Sequence, residues 1–187
     1  MSEPGFDPNQ TLFDRESTLE TVRGLTVASP GSPIVLGPVI GKGGMSEIRE
    51  ARQQSLDRTV AVKRIRTRPV PRSSEKRLLQ EDWITGMLEH PNVVPVHDIV
   101  FDRNEPQIVM RHIEGRVWKD VMDDPTAAFP HVDDPLAWNL RVLAQVCNAV
   151  GFAHDRRIVH RDLKPENVMV GAHGDVYVLD WGVAVAL

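Results

Sequence analysis

The chain has 187 residues, 41% hydrophobic and 26% charged, the balance of an ordinary globular protein long enough to bury a core in one domain or two small lobes. A formal net charge of −4 argues against general nucleic-acid binding, and the single cysteine, Cys147, excludes a disulfide framework. No apolar run approaches the ~18 residues of a membrane span and no basic-then-apolar leader opens the chain, so a cytoplasmic protein without a membrane segment is expected.

Residues 1–32 are polar, are punctuated by Pro4, Pro8, Pro30 and Gly31, and show no sustained period. That composition predicts a flexible N-terminal tail, with at most a short helix over Thr18–Val22. From Ile34 the pattern changes to short β-type runs. Ile34–Ile40, Glu47–Gln53 and Thr59–Ile65 predict an antiparallel meander. The first turn reads Gly41-Lys42-Gly43-Gly44-Met45, and its glycines would let backbone N–H groups approach a phosphate. Taken alone, such a turn usually just reverses the chain. Lys63 follows Ala61-Val62 in the third run, and alone it reads as a lysine on the solvated face of an edge strand.

A basic connector with Arg64, Arg66, Arg68, Arg72, Lys76 and Arg77 reads as solvated surface. Ser73 or Ser74 then caps a helix running to about Leu88. Leu78, Ile84 and Leu88 mark one stripe of it, with Glu81 on that stripe and Asp82 roughly 100° away. A carboxylate facing inward needs a cation, and Lys63 is the candidate. After His90-Pro91-Asn92, Val93–Phe101 and Gln107–Met110 complete a five-stranded sheet with one packed helix.

A short helix is expected over Arg116–Met122, a surface loop over Asp123–Asp134, and a helix from Pro135 to Asp155. In that last helix Leu136, Leu140, Leu143, Cys147 and Val150, with Val142, Val146, Ala149 and Ala153 alongside, cover more than one face. The pattern predicts a helix with neighbours on several sides and a buried Cys147 thiol.

The most informative stretch is Ile158–Gly182. Two β-type runs, Val168–Val170 and Val176–Leu179, flank loops that hold Asp162, Lys164, Asn167 and Asp180. Two carboxylates, an amide and a lysine suit Mg²⁺-phosphate chemistry, because hard oxygens bind Mg²⁺ and an ammonium offsets phosphate charge. His160-Arg161-Asp162-Leu163-Lys164-Pro165-Glu166-Asn167, followed by Asp180-Trp181-Gly182, resembles the protein kinases, most like the bacterial Ser/Thr branch.

The resemblance implies an α+β fold: residues 33–113 as a five-stranded antiparallel N-lobe with one helix and the hinge, and 114–187 as a partial, mainly helical C-lobe. It implies ATP and Mg²⁺ as cofactors and a protein Ser or Thr hydroxyl as acceptor. Ile40, Gly41, Lys42, Gly43, Gly44 and Ile48 would close over the nucleotide, with Ser46 where the third glycine of such loops usually sits. Lys63 would contact the α- and β-phosphates and pair with Glu81. Met110 would be the gatekeeper and Arg111–Ile113 the hinge whose backbone binds adenine, Arg111 replacing the acidic residue often found there. Asp162 would accept the hydroxyl proton, Lys164 would stabilise the transferring phosphoryl group, and Asn167 and Asp180 would hold Mg²⁺. Arg161 implies control by a phosphorylated activation loop, His160 packs rather than acts as base, and Trp181 replaces the usual phenylalanine with more volume and an N–H needing a partner.

Five residues follow Gly182, where a whole kinase continues into its acceptor-binding half. The expectation is a nucleotide and metal half with an exposed apolar patch on the long helix and a partner able to cover it. Three readings remain from sequence: a Ser/Thr protein kinase, a kinase-like module that binds ATP–Mg²⁺ or a protein without turnover, and a small-molecule phosphotransferase of similar fold. Arg161 and Lys164 argue against the third.

Overall fold

The computed structural model describes residues 34–44, 46–66, 72–102, 105–124, 134–181 and 185–186, and the expected tail lies outside them. Strands β1 (Ile34–Lys42), β2 (Ser46–Gln53), β3 (Arg58–Ile65), β4 (Val96–Asp102) and β5 (Glu105–Arg111) form one antiparallel sheet, ordered β1-β2-β3-β5-β4. The alternation along β3 divides its residues between two cores. Val60 and Val62 join Ala51 and Val109 on one face, while Ala61 and Ile65 join Ile108 and Met110 on the other. Onto the second face packs helix α1 (Arg72–Met87) through Leu78 and Leu79.

The expected strand from Val93 begins only at Val96, after Pro95, which has no N–H to give a ladder. Residues 92–94 instead tie the sheet to the second half of the chain. The Val178 N–H donates to the Asn92 carbonyl at 2.8 Å, and the Asn92 amide donates to the Val176 carbonyl at 2.9 Å and to Gln145 Oε1 at 3.1 Å.

In that second half, β6 (Gly115–Val117), β8 (Val168–Gly171) and β9 (Val176–Val178) form a small sheet ordered β6-β8-β9, and β7 (Ile158–Val159) pairs with β10 (Val185–Ala186). The helix expected from Arg116 starts at Trp118 instead (α2, Trp118–Asp123), because Arg116 and Val117 pair with Val170 and Met169. Helix α3 spans Pro135–Asp155, with Pro135 in its first turn and the Asp134 carboxylate accepting the Ala137 N–H at 3.0 Å.

Only one face of α3 is buried. Val142, Val146, Ala149 and Ala153, at helical spacing, join Trp118, Ile158, Val168, Val176, Val178 and Trp181 in a core that also takes Ile84 and Leu88 from the α1 end. The expectation of neighbours on several sides is corrected: Leu136, Leu140 and Leu143 are 70%, 55% and 43% exposed. Cys147, one turn further along the same stripe, is exposed rather than buried. The described elements pack on the opposite face, which leaves this stripe as an apolar surface patch. No helix among the described residues is long and apolar enough to cross a membrane.

Candidate active site

His160 organises the loop between β7 and β8. Its Nδ1 accepts the Asp162 N–H at 3.3 Å, so its Nε2, 3.0 Å from the Leu179 carbonyl oxygen, is the donor. Both ring nitrogens are thereby used, and the imidazole serves as a strut, as its sequence context implied. Arg161 between them takes a φ of 64°, the left-handed turn that folds the Asp162 N–H back onto the ring.

Two later side chains of the same loop hold the Asp162 carboxylate. Lys164 Nζ lies 2.7 Å from Asp162 Oδ2, and the Asn167 amide donates to that same oxygen at 3.1 Å and to the Asp162 carbonyl at 2.8 Å. The hydrogen bond from Lys164, helped by that from Asn167, holds the Asp162 carboxyl below the usual carboxylate range, and the same contact raises the Lys164 ammonium. Both side chains are largely exposed, so the pair adds position rather than stability. Asn167 is buried in a short 3₁₀ turn (Pro165–Asn167), with its amide nitrogen facing Asp162 and its side-chain oxygen not used in that contact.

Asp180 stands just past β9 with φ 57°. The preceding Leu179 is stitched to the loop at both ends, its N–H donating to the Asn167 carbonyl at 2.8 Å and its carbonyl meeting His160. The Asp180 charge acts on both Lys164 and Asp82, so its carboxylate is within electrostatic reach of each.

Lys63 lies on β3 between Ile48 of β2 and Ile108 of β5, in the middle of the sheet and not on an edge. Its ammonium is 3.8 Å from Asp82 Oδ1. Asp82, ranked second to Glu81 from sequence, is buried and faces Lys63, while the side chain of Glu81, the expected partner, lies outside the described residues. Leu78, Ile84 and Leu88 are all buried, as their stripe predicts, and Glu75, Leu79, Asp82 and Thr85 widen the buried face of the helix. Counting Leu79 would have placed Asp82 on that face as well, since it sits three residues beyond Leu79 and four beyond Leu78.

Burial, opposed by Lys63 and reinforced by Asp180, pushes the Asp82 carboxyl up to about 6. The folded chain therefore binds a proton there that the unfolded chain releases near 3.8. The stability contributed by that proton is fully present below about pH 4 and is lost as pH rises through about 6. Asp82→Asn is expected to gain stability relative to wild type between pH 4 and 7 by on the order of 2 kcal/mol. Urea unfolding of both chains across that range checks this, and a constant difference would refute it.

Between β1 and β2 the glycine-rich turn is closed by the Gly43 N–H donating to the Ser46 carbonyl at 2.8 Å, and Gly41 lies opposite Ile48. Around Gly44 nothing lies within 4 Å of where a Cβ would stand, so the turn offers bare backbone. Ile40 and Lys42 belong to β1 and flank it. Met110 is buried at the end of β5 beside Ala61 and Ile108. The Arg111 N–H is used by the Pro95 carbonyl at 2.9 Å, whereas Ile113 has no backbone partner among the described residues.

The family model for the protein kinase domain matches residues 34–187. The chain belongs to the protein kinase family. The serine/threonine-protein kinase PknD of Protochlamydia amoebophila is 32% identical over 188 residues, covering 97% of this chain and 18% of that protein. PknD of Chlamydia caviae is 36% identical over 154 residues, covering 79% of this chain and 17% of that protein. The serine/threonine-protein kinase PknB of Mycolicibacterium smegmatis is 35% identical over 159 residues, covering 81% of this chain and 24% of that protein. The chain thus spans about a fifth of the length of these curated relatives, within which it corresponds to kinase-domain sequence. The five-stranded sheet with its one packed helix is the N-lobe of the kinase fold, and α3 with the loops after it is part of the C-lobe.

Proposed function

We propose that this chain carries out ATP-dependent phosphorylation of protein Ser or Thr hydroxyls, with residues 33–113 as nucleotide-binding lobe and hinge and 114–187 as catalytic-loop lobe. One observation carries the reading. Asp162, Lys164 and Asn167 form a single hydrogen-bonded unit, and Asp180 is within electrostatic reach of both that unit and the Lys63–Asp82 pair. In this reading Lys63 contacts the α- and β-phosphates while its carboxylate partner keeps it in place. The turn with Gly41, Gly43 and Gly44 covers the phosphates, and the backbone of Arg111 and Ile113 meets adenine.

The donor set fits Mg²⁺. No cluster of three His, Cys, Asp or Glu side chains converges among the described residues, so Asn167 and Asp180 would supply protein oxygens and phosphate would complete the shell. Bound there, the ion offsets charge on the phosphates. Lys164 faces the transferring group, Asp162 orients the acceptor hydroxyl, and a lysine at this place is the Ser/Thr rather than the tyrosine pattern.

Calorimetry with Mg²⁺–ATP tests the nucleotide half. Saturable, Mg²⁺-dependent binding is expected, weakened at least about tenfold by Lys63→Met, since a charge-assisted contact to phosphate is lost. Phosphate transfer to a Ser/Thr peptide then tests the reaction. Wild-type binding unaffected by Lys63→Met would overturn the assignment of Lys63.

A further inference from the structure

We propose that the side chains of Arg111, Asp175 and Tyr177 form a clamp that fastens the hinge to the turn between β8 and β9 and so sets nucleotide affinity, although none of these side chains touches the nucleotide. The inference rests on reading residues 111–113 as the adenine-contacting segment.

Arg111 ends β5, with its N–H donating to the carbonyl of Pro95, just before β4. Its side chain crosses to the other half of the molecule. Nη2 lies 3.9 Å from Asp175 Oδ2, and the guanidinium carbon stands 5.2 Å from the centre of the Tyr177 ring. A planar guanidinium suits this pair of partners, because its face stacks on an aromatic ring while its edge addresses a carboxylate. Asp175 lies beside a fixed side chain, since Tyr177 is buried and its phenol is pushed up by that burial and by the neighbouring Asp175 carboxylate.

The turn that carries Asp175 is built to receive it. The Gly171 N–H donates to the Asp175 carbonyl at 2.7 Å, and the Asp175 carboxylate lies so close over Gly171 that a Cβ there would collide with it. The far end of the hinge meets the same turn. Ala172 N–H donates to the Glu114 carbonyl at 2.9 Å, and a Cβ on Gly115 would run into the Val170 carbonyl. Between these two fastenings lies a polar cleft of about 180 Å³, lined by residues 111–114 on one side and 172, 173 and 175 on the other. Across that cleft Arg111 is the residue that bridges hinge and turn by charge.

The side chains of Arg111 and Asp175 are 51% and 36% exposed, so the effect is modest. Asp175→Asn and Arg111→Gln are expected to weaken Mg²⁺–ATP binding about three- to tenfold and to speed amide hydrogen exchange at residues 112–115. Arg111→Lys, which keeps the charge and loses the stacking, is expected to show a smaller loss. The exchanged pair, Arg111→Asp with Asp175→Arg, is expected to recover part of the affinity. Calorimetry, hydrogen exchange and thermal melting on the 187-residue chain make the comparison. Unchanged affinity and exchange in folded Asp175→Asn overturn the proposal, as does loss of affinity that only tracks a falling melting temperature. Should one single variant fail to fold, Arg111→Lys and the exchanged pair decide. If the wild-type chain binds no Mg²⁺–ATP, the nucleotide reading fails by itself, and hydrogen exchange still shows whether the clamp holds the hinge.

Discussion

Asp162→Asn is expected to bind Mg²⁺–ATP within about threefold of wild type and to lose about 10²- to 10⁴-fold in the rate of phosphate transfer, the range of a positioned general base. The two carboxylate oxygens are used differently. Oδ2 accepts from Lys164 and Asn167, while Oδ1 takes no hydrogen bond from the described residues and is left to meet an acceptor hydroxyl. Asparagine keeps the shape but offers either a donor or a neutral oxygen in place of the anion, and it frees Lys164 from its partner. The contact with Lys164 holds the wild-type carboxyl below its usual range, so Asp162 stays ionised through neutral pH. In the proposed reaction it would therefore be a weak base, orienting the hydroxyl and taking its proton as the bond to phosphorus forms. No ionisation of Asp162 should appear in the rate between pH 6 and 8. Single-turnover transfer to a Ser/Thr peptide alongside calorimetry checks both halves. A rate loss under about tenfold, or nucleotide binding lost with the rate, would remove Asp162 from this role.

The polar cluster from His160 to Asn167 was legible because its geometry is local. His160, Asp162, Lys164 and Asn167 lie within one short turn, and their hydrogen bonds close among themselves and with Leu179. The central strands were legible as strands for a similar reason, since the unbroken apolar run Val60-Ala61-Val62 suits a strand covered on both faces. Side-chain direction on a helix was less accessible. Glu81 and Asp82 are adjacent, and a stripe chosen without Leu79 does not reveal that Asp82 also turns inward, to within 3.8 Å of Lys63. In α3 the composition shows that several faces are apolar, but not which of them is covered; Cys147 and the three leucines before it lie on the uncovered side. Arg116 and Val117 pair as a strand only because β8 lies beside them, and Arg111 meets Asp175 across the two halves of the molecule. Such contacts depend on tertiary placement, which no short window of sequence contains.

Trp181→Ala is expected to destabilise the chain by about 3–5 kcal/mol, the range for removing a large buried aromatic. Trp181 is fully buried within the core that takes Val142, Val146 and Ala149 from α3, Ile84 and Leu88 from the α1 end, and Val168, Val170, Val176 and Val178 from β8 and β9. It also packs against His160, with ring centres 4.6 Å apart and planes inclined by 58°. One side chain thus supports the His160 strut and anchors the backbone that directly follows Asp180, and its loss leaves a cavity beneath both. Trp181→Phe should behave differently. The indole Nε1 has no hydrogen-bond partner among the described residues, and a buried donor without a partner costs about 1–3 kcal/mol. Phenylalanine loses volume but also removes that donor, so the two effects oppose, and the expected change is within about 1.5 kcal/mol. Urea unfolding of the three chains gives the comparison. A Trp181→Phe loss as large as that of Trp181→Ala would mean that the N–H is satisfied in solution. A small loss for Trp181→Ala would mean that the core closes without the indole, and His160 would then need another support.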